Sequence, residues 1–256
     1  MAPSASVIVC TGSDSRWWWL LDALASLAQQ TVRPEEIIVV VDHNPDLLQR
    51  VKREMRDATA VPNLVTRGLA GSRNTGVARS RSEIASFIDD DAVAAPDWLE
   101  RLVHSYSAPH VAGVGGKIDP IWEAGRPRWF PPEFAWVVGC TYVGLPATTA
   151  PVRNLIGCNM SFRRQVLLEV GGFRSGFGQS SGVPLRRCDE TELCIRVGQR
   201  WPACVLLYEP GAVVLHHVPP QRSRVRYFAH RCFSEGLSKA QVTQALLQCY
   251  AGLLGR

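Results

Sequence analysis

The first hundred residues alternate β-branched runs with helical patterns: SVIVC (6–10), a helix over 17–29, EIIVVV (36–41), a helix over 45–57, LVT (64–66), a helix from 71, and IASFID (84–89). Strands separated by helices of this length predict a parallel sheet covered by helices on both faces. Ligands bind such sheets beyond the carboxyl ends of the strands. Four of those ends carry polar residues. Thr11, Gly12, Ser13 and Asp14 follow the first strand, Asp42, His43 and Asn44 the second, Arg67 the third, and Asp89, Asp90 and Asp91 the fourth. Parallel strands put all four groups on one rim, and one rim makes one binding site.

Farther on the texture changes. VAGVGGKI (111–118) reads as another strand, and the Pro/Trp-rich stretch to about 151 as long loops of the kind that carry substrate contacts. NMSFRRQVLLEVGGF (159–173) predicts a short strand, a helix from 163 and a glycine stop. DETELCIRVGQR (189–200) is helical, VLLYEPGAVVLHH (205–217) predicts a strand pair about a Pro-Gly turn, and 222–256 a helical tail. With 256 residues, 46% of them hydrophobic, the chain can bury a full core as one globular domain.

A formal charge of +5 is unevenly spread, because Arg126, Arg128, Arg153, Arg163, Arg164 and the arginines from Arg222 to Arg231 crowd the second half. Such a surface favours phosphates or an anionic membrane, although the scattered arginines read as ordinary solvated side chains. Nothing in it points to a nucleic-acid partner. Eight dispersed cysteines without a CxxC pair weaken metal-thiolate and redox readings. There is no basic leader, and WWWLLDALASLA (17–28) is too short for a membrane span and carries Asp22. The expected location is cytoplasmic, with peripheral membrane contact open to the basic tail. Trp17, Trp18 and Trp19 cannot all face inward on one helix, so at least one is expected at the surface.

Adjacent carboxylates repel, and burial disfavours their charged form unless a cation is present. The triplet Asp89-Asp90-Asp91 at a strand end is therefore best explained by a divalent ion, and an all-oxygen set suits Mg2+ or Mn2+. A helix N-cap accounts for Asp97 before Trp98, but one cap needs one aspartate. Mg2+ held by one or two carboxylates completes its shell with water and substrate phosphates, which predicts a nucleoside diphosphate. No Walker lysine loop and no GxGxxG follows the first strand, and GVGG at 113–116 reads as a tight strand exit.

The ordered segments SVIVCTGSDSR, PEEIIVVVDHN, GLAGSRNTGVARS, FIDDDA, GCNMSFRR with VGGF, and DETELCIR resemble the family 2 glycosyltransferases over residues 6–217. The resemblance implies an α/β GT-A fold: a Rossmann-like, mostly parallel sheet flanked by helices, with a C-terminal helical tail. It implies a domain over 1–220, with a nucleotide-binding half (1–118) and an acceptor and catalytic half (119–220), and a tail over 221–256. It also implies inverting, metal-dependent transfer of a sugar from a nucleoside-diphosphate donor to an acceptor hydroxyl. The other reading open is a nucleotide-sugar-binding protein of the same fold with impaired turnover.

By that resemblance Asp42 hydrogen-bonds the nucleobase above a wall of Thr11 and Gly12, although Asp42 can equally cap the next helix. Arg73 approaches the diphosphate, with Gly71 letting the helix start come close, since a helix N-terminus is a natural anion site. Asp91 is the metal ligand, Asp89 or Asp90 turns toward ribose with Asp89 a second candidate ligand, and His216, or else His217, completes the metal set. Asn159 sits beside the donor sugar, with room supplied by Gly157. Relatives usually show Glu-Asp where this chain has Asp189-Glu190, so Glu190 takes the base position and Asp189 remains the second choice. Glu192 and Arg196 read as an i,i+4 pair.

The stretch RPRWFPPEFAWVVGCTY (126–142) lies where the family binds acceptors, so Trp129 and Trp136 are candidates for stacking on an acceptor or for core packing. The acceptor itself, whether saccharide, lipid or natural product, is not specified. The tail resembles the family motif YF..R...EG.SKA, and Tyr227, Phe228 and Phe233 among arginines give a basic amphipathic helix. That helix can meet a membrane, the donor diphosphate or the sheet. The closing QALLQCYAGLLGR is either an abbreviated helix or a contact with another copy of the chain.

Overall fold

The computed structural model describes residues 3–175 and 188–254, with side chains of the last helix as far as 245. Nine strands form one sheet. They are β1 (Ala5–Thr11), β2 (Glu36–Val41), β3 (Thr59–Pro62), β4 (Ile84–Asp89), β5 (Ala92–Ala94), β6 (Val111–Trp122), β7 (Ala150–Val152), β8 (Asn159–Arg163) and β9 (Val205–Val218). Their spatial order is β3-β2-β1-β4-β8-β6-β9-β5, with β7 paired to β9. The helices are α1 (Trp17–Ala28), α2 (Pro45–Glu54), α3 (Leu69–Arg79), α4 (Trp98–His104), α5 (Arg164–Glu169), α6 (Asp189–Arg200) and α7 (Val225–Leu254).

The β-branched runs of β1, β2 and β4 are apolar on both faces because both faces are covered, as parallel strands require. Val7 and Val9 of β1 pack into one core with Leu20 and Leu27 of α1 and Trp98 and Leu102 of α4. Ile8 faces the opposite core with Val77 of α3 and Leu193 of α6. Each such aliphatic side chain, fully withdrawn from water, contributes on the order of 1.5–3 kcal/mol. Of the tryptophan triplet, Trp17 is buried beneath the Arg50 guanidinium, Trp19 stacks on His217, and Trp18 is exposed.

The sheet is parallel only in part. β3, β2, β1 and β4 run parallel, whereas β8 joins β4 and β6 antiparallel, and β9 is parallel to β6 but antiparallel to β5 and β7. The third strand is TAVP at 59–62, and LVT at 64–66 is a turn with Leu64 77% exposed. Asn63 causes the change of direction: its Oδ1 accepts from Val65 N and pulls the chain out of the sheet. The expected strand pair over 205–217 is one strand. Both of its parts pair with β6, in the same direction, and Pro210, Gly211 and Ala212 form a bulge between the Gly116–Glu209 and Lys117–Val213 partners. Proline fits there because a bulge frees it from donating to the ladder.

Asn44 caps α2 by accepting from Leu47 N, with Pro45 at the first helical position. Asp97 does stand at the N-cap of α4, but its carboxylate pairs with Arg101 instead of a backbone N–H. Glu192 and Arg196 form the expected pair at 2.7 Å, and Arg196 also reaches the Val170 and Gly172 carbonyls. α7 is the expected helical tail; the subunit contact expected at QALLQCYAGLLGR falls outside the described side chains from Leu246 onward.

Candidate active site

The carboxyl ends of β1, β2 and β4 open into one cavity of about 790 Å3, lined by Thr11 and Gly12, Asp42, Arg67 and the aspartates 89–91, and also by Asp189, Glu190 and His216. The four polar clusters therefore do share a rim. Asp42 sits at one end of it. Its Oδ2 accepts from Gly68 N at 3.0 Å and its Oδ1 from Asn63 Nδ2 at 2.6 Å, so the carboxylate is held open to the cavity at the start of α3. It does not cap α2, which Asn44 does.

Side chains alternate along an extended segment, and this separates the three aspartates. Asp90 is buried and its Oδ1 accepts from Arg16 Nη1 at 2.7 Å; burial pushes its carboxyl up to about 6 against the opposing pull of Arg16. Asp89 is 31% exposed and faces the cavity. Asp91 is buried, 3.2 Å from Arg16 Nη1, 3.9 Å from Arg222 Nη2 and 3.2 Å from His216 Nε2. Burial opposes its ionisation, but His216, Arg16 and Arg222 outweigh burial and hold its carboxyl below the usual carboxylate range.

Three residues of β5 bring His216 there. Ala92 pairs with His216 in the antiparallel ladder, and His217 N donates to the Asp91 carbonyl at 2.8 Å. His217, one residue on, necessarily faces away: it stacks on Trp19 and lies 3.5 Å from Glu123. Of the two histidines, His216 is the one beside the aspartates.

A divalent cation suits this group of side chains. Asp91 Oδ1 is buried with no hydrogen bond of its own, its neighbour His216 Nε2 standing 3.2 Å away, and Asp89, Cys158 and His216 offer ligand atoms all within 4.8 Å of one another. Of the expected ligands, Asp89 and His216 fall in that group, while Asp91 adjoins it through His216.

Asp189 and Glu190, also in the lining, begin α6. Asp189 is buried and accepts from Arg73 Nη1 at 2.9 Å. Glu190 lines the cavity, and burial together with the adjoining Asp189 carboxylate raises its carboxyl well above the ordinary range. A carboxylate so raised is a stronger base when ionised. Arg73 lies between the two acidic groups: 3.8 Å from Asp89, bonded to Asp189, and donating to the Gly157 carbonyl at 3.1 Å. The room at Gly157 is for this guanidinium, because a Cβ there would meet Arg73 Nη2 at 2.6 Å.

Three expected contacts are placed elsewhere. Gly71 does not approach the cavity; a Cβ on it would lie 1.8 Å from the Thr66 carbonyl oxygen, so it is glycine for the packing of α3 on the preceding turn. Asn159 is fully buried: it accepts from Trp98 Nε1 at 2.8 Å and donates to the Lys117 and Ala212 carbonyls at 2.9 Å. It ties β8, β6, β9 and α4 together and lies outside the cavity lining. Trp129 lies outside the cavity lining, edge-on to Phe228, whereas Trp136 lines the cavity under the Arg231 and Lys239 cations.

The cavity also contains residues given no individual role from sequence. Arg16 neutralises Asp90 and Asp91 from the start of α1, and Arg231, Glu235 and Lys239 form an i,i+4,i+8 row on α7 that closes one side. Their spacing within R...EG.SKA was a readable signal; Arg16 carried none.

The known proteins that this sheet and its acidic cavity match are glycosyltransferases. The Glycosyl transferase family 2 pattern matches residues 6–171. Over 238 residues the chain is 36% identical to the glucosyl-dolichyl phosphate glucuronosyltransferase of Haloferax volcanii, an overlap of 91% of this chain and 75% of that protein. It is 25% identical over 227 residues to the succinoglycan biosynthesis protein ExoM of Rhizobium meliloti, covering 85% of this chain and 69% of the relative. The chain belongs to glycosyltransferase family 2.

Solved structures agree on the fold. GalNAc-T7 with UDP, GalNAc and Mn2+ superposes with a TM-score of 0.63 at 18% identity, over 84% of this chain and 44% of that one. The mannosyltransferase PcManGT from Pyrobaculum calidifontis, in complex with GDP-Man and Mn2+, gives 0.61 at 22% identity, over 86% of this chain and 59% of that one. This chain therefore spans less than two thirds of either structure.

Proposed function

We propose that this chain transfers a sugar from a nucleoside diphosphate to an acceptor hydroxyl with inversion, using Mg2+ or Mn2+. The observation that carries the reading is the pairing, across one cavity, of the Asp89–Asp91 strand end and His216 with the raised carboxyl of Glu190. Asp42, on its rim with Thr11 and Gly12, accepts from the nucleobase. Asp91 and His216, with Asp89, hold the cation, which when bound offsets negative charge on the leaving diphosphate. Arg73 adds fixed positive charge behind the same group and keeps Asp189 occupied.

Glu190 then takes the proton of the acceptor hydroxyl as that oxygen attacks the anomeric carbon from the side opposite the diphosphate. Its neighbour Asp189, already bonded to Arg73, orients the site and keeps the Glu190 carboxyl basic. Trp136 supplies a flat face for the acceptor at the cavity mouth. The reading as a nucleotide-sugar-binding protein with impaired turnover is the less favoured one, since Glu190 lines the cavity as a base would.

We assign the acceptor to the lipid-linked class, on the 36% identity to the Haloferax volcanii enzyme, whose name describes a dolichyl phosphate substrate. No helix among the described residues is long and apolar enough to cross a membrane. The outer face of α7, with exposed Arg226, His230, Phe233 and Leu237, is suited to peripheral contact with the surface that would hold such an acceptor. The test of the reaction is Glu190→Gln, which leaves binding of UDP or GDP intact and abolishes transfer from every donor the wild type uses. Full turnover by that variant contradicts the proposal.

A further inference from the structure

Cys158 immediately precedes β8, one step beyond the antiparallel partners Ile88 and Asn159. That ladder carries it opposite Asp89, while the β5–β9 pairing delivers His216 to the same spot. The Cys158 thiol, an Asp89 carboxylate oxygen and a His216 ring nitrogen consequently lie within 4.8 Å of one another, and all three residues line the cavity. The proposed cation set uses oxygen and imidazole and has no place for this sulfur.

We propose that Asp89, Cys158 and His216 form a second metal site, for a thiophilic divalent cation such as Zn2+ or Cd2+, whose occupation excludes Mg2+ or Mn2+ and blocks transfer. Zinc takes thiolate, imidazole and carboxylate together, at roughly 2.3, 2.0 and 2.1 Å, commonly with water as a fourth ligand. Tetrahedral bonds of those lengths separate ligand atoms by about 3.3–3.6 Å. Drawing in Asp89 closes the difference, since it is 31% exposed and its nearest cation, Arg73, is 3.8 Å away. The bound cation displaces the thiol proton to solvent.

Affinity for such sites rises from Mn2+ to Zn2+, and a thiolate widens the gap because it adds little for the harder ions. The two sites share Asp89 and His216, so only one can be filled. His216 is also braced for either: its Nδ1 is 3.9 Å from Cys140 Sγ while Nε2 points to Asp91. The block on transfer rests on the proposed reaction; the binding of the metal does not.

The experiment is a titration of the nucleotide-free protein with Cd2+, followed by the ultraviolet charge-transfer band of the cadmium–thiolate bond. One saturating equivalent is expected in the wild type and in Cys204→Ser, whose cysteine does not line the cavity. Cys158→Ser should lose the band and bind at least about tenfold more weakly, because even outer partners of metal ligands are worth that much. X-ray absorption of the Zn2+-loaded wild type, which needs no variant, should show one sulfur in a shell otherwise of nitrogen and oxygen. An all-nitrogen-and-oxygen shell, or a cadmium band unchanged in Cys158→Ser, overturns the site. A sulfur-containing shell in a protein that transfers no sugar from any donor leaves the site standing and removes the reaction instead.

Discussion

Asp91 Oδ1 lies 3.2 Å from His216 Nε2, and the contact exists because Ala92, the residue after the aspartate, is paired across the sheet with the histidine. A short β5 thus joins the acidic strand end of the first half to the last strand of the second. The arrangement distinguishes His216 from its neighbour. His216→Ala should weaken Mn2+-dependent binding of UDP or GDP by about tenfold or more, as loss of a metal ligand does. His217→Ala should stay within a few-fold of wild type, because that ring packs on Trp19 away from the cavity. Calorimetric titration with and without Mn2+ checks both.

With Glu190 as the proposed base, turnover takes its pH dependence from that carboxyl. Its carboxyl is raised by burial and by Asp189, so it is protonated, and useless as a base, at pH values where an ordinary glutamate is ionised. Transfer should therefore rise with pH, with a midpoint above the ordinary carboxylate range. Asp189→Asn removes a negative neighbour and should move that midpoint to lower pH, while Glu190→Gln should cut kcat by about a hundredfold or more. The same shift bears on stability. A raised carboxylate contributes to folding below its unfolded pKa, and the contribution is lost as pH climbs through the folded value. Rate profiles of the three proteins are the measurement.

Gly71 and Gly198 should respond oppositely to the same substitution. Gly71→Ala sets a Cβ 1.8 Å from the Thr66 carbonyl, and backbone cannot yield as a flexible side chain can, so a loss of about 1–3 kcal/mol or failure to fold is expected. Gly198, in α6, meets nothing within 4 Å, and alanine there should stabilise by roughly 0.5–1 kcal/mol. Thermal unfolding of the two variants decides.

Asn159→Ala tests the structural role found for that residue. It strands the buried Trp98 N–H and two carbonyls, each worth about 1–3 kcal/mol when left unpaired. Unfolding should shift to lower denaturant with donor KM unchanged in whatever protein remains folded. A change in donor KM without loss of stability would return Asn159 to the sugar.

Much of the first half was legible in advance, because runs such as EIIVVV and IASFID can only be satisfied between two helical layers, and parallel strands oblige their ends to share a rim. The third strand was misplaced since TAVP is a weak signal and the apolar LVT beside it is thrown outward by Asn63. β5 and β7, three residues each, are too short for any period to show, yet β5 is what selects His216. The bulge in β9 looked like a hairpin because Pro-Gly marks a break in pairing without saying whether the chain turns back. The thiol of Cys158 was invisible for a further reason: its partners are set by strand register, and no cysteine spacing along the chain records that.

The central claim is that the acidic end of β4 holds the cation for a donor diphosphate. The direct measurement is the Mn2+ dependence of UDP and GDP binding to the wild type and to Asp91→Ala, with circular dichroism establishing that the variant is folded. Mn2+ should tighten binding of at least one nucleotide to the wild type and leave the variant unaffected. Equal, Mn2+-enhanced binding by both proteins would contradict the account.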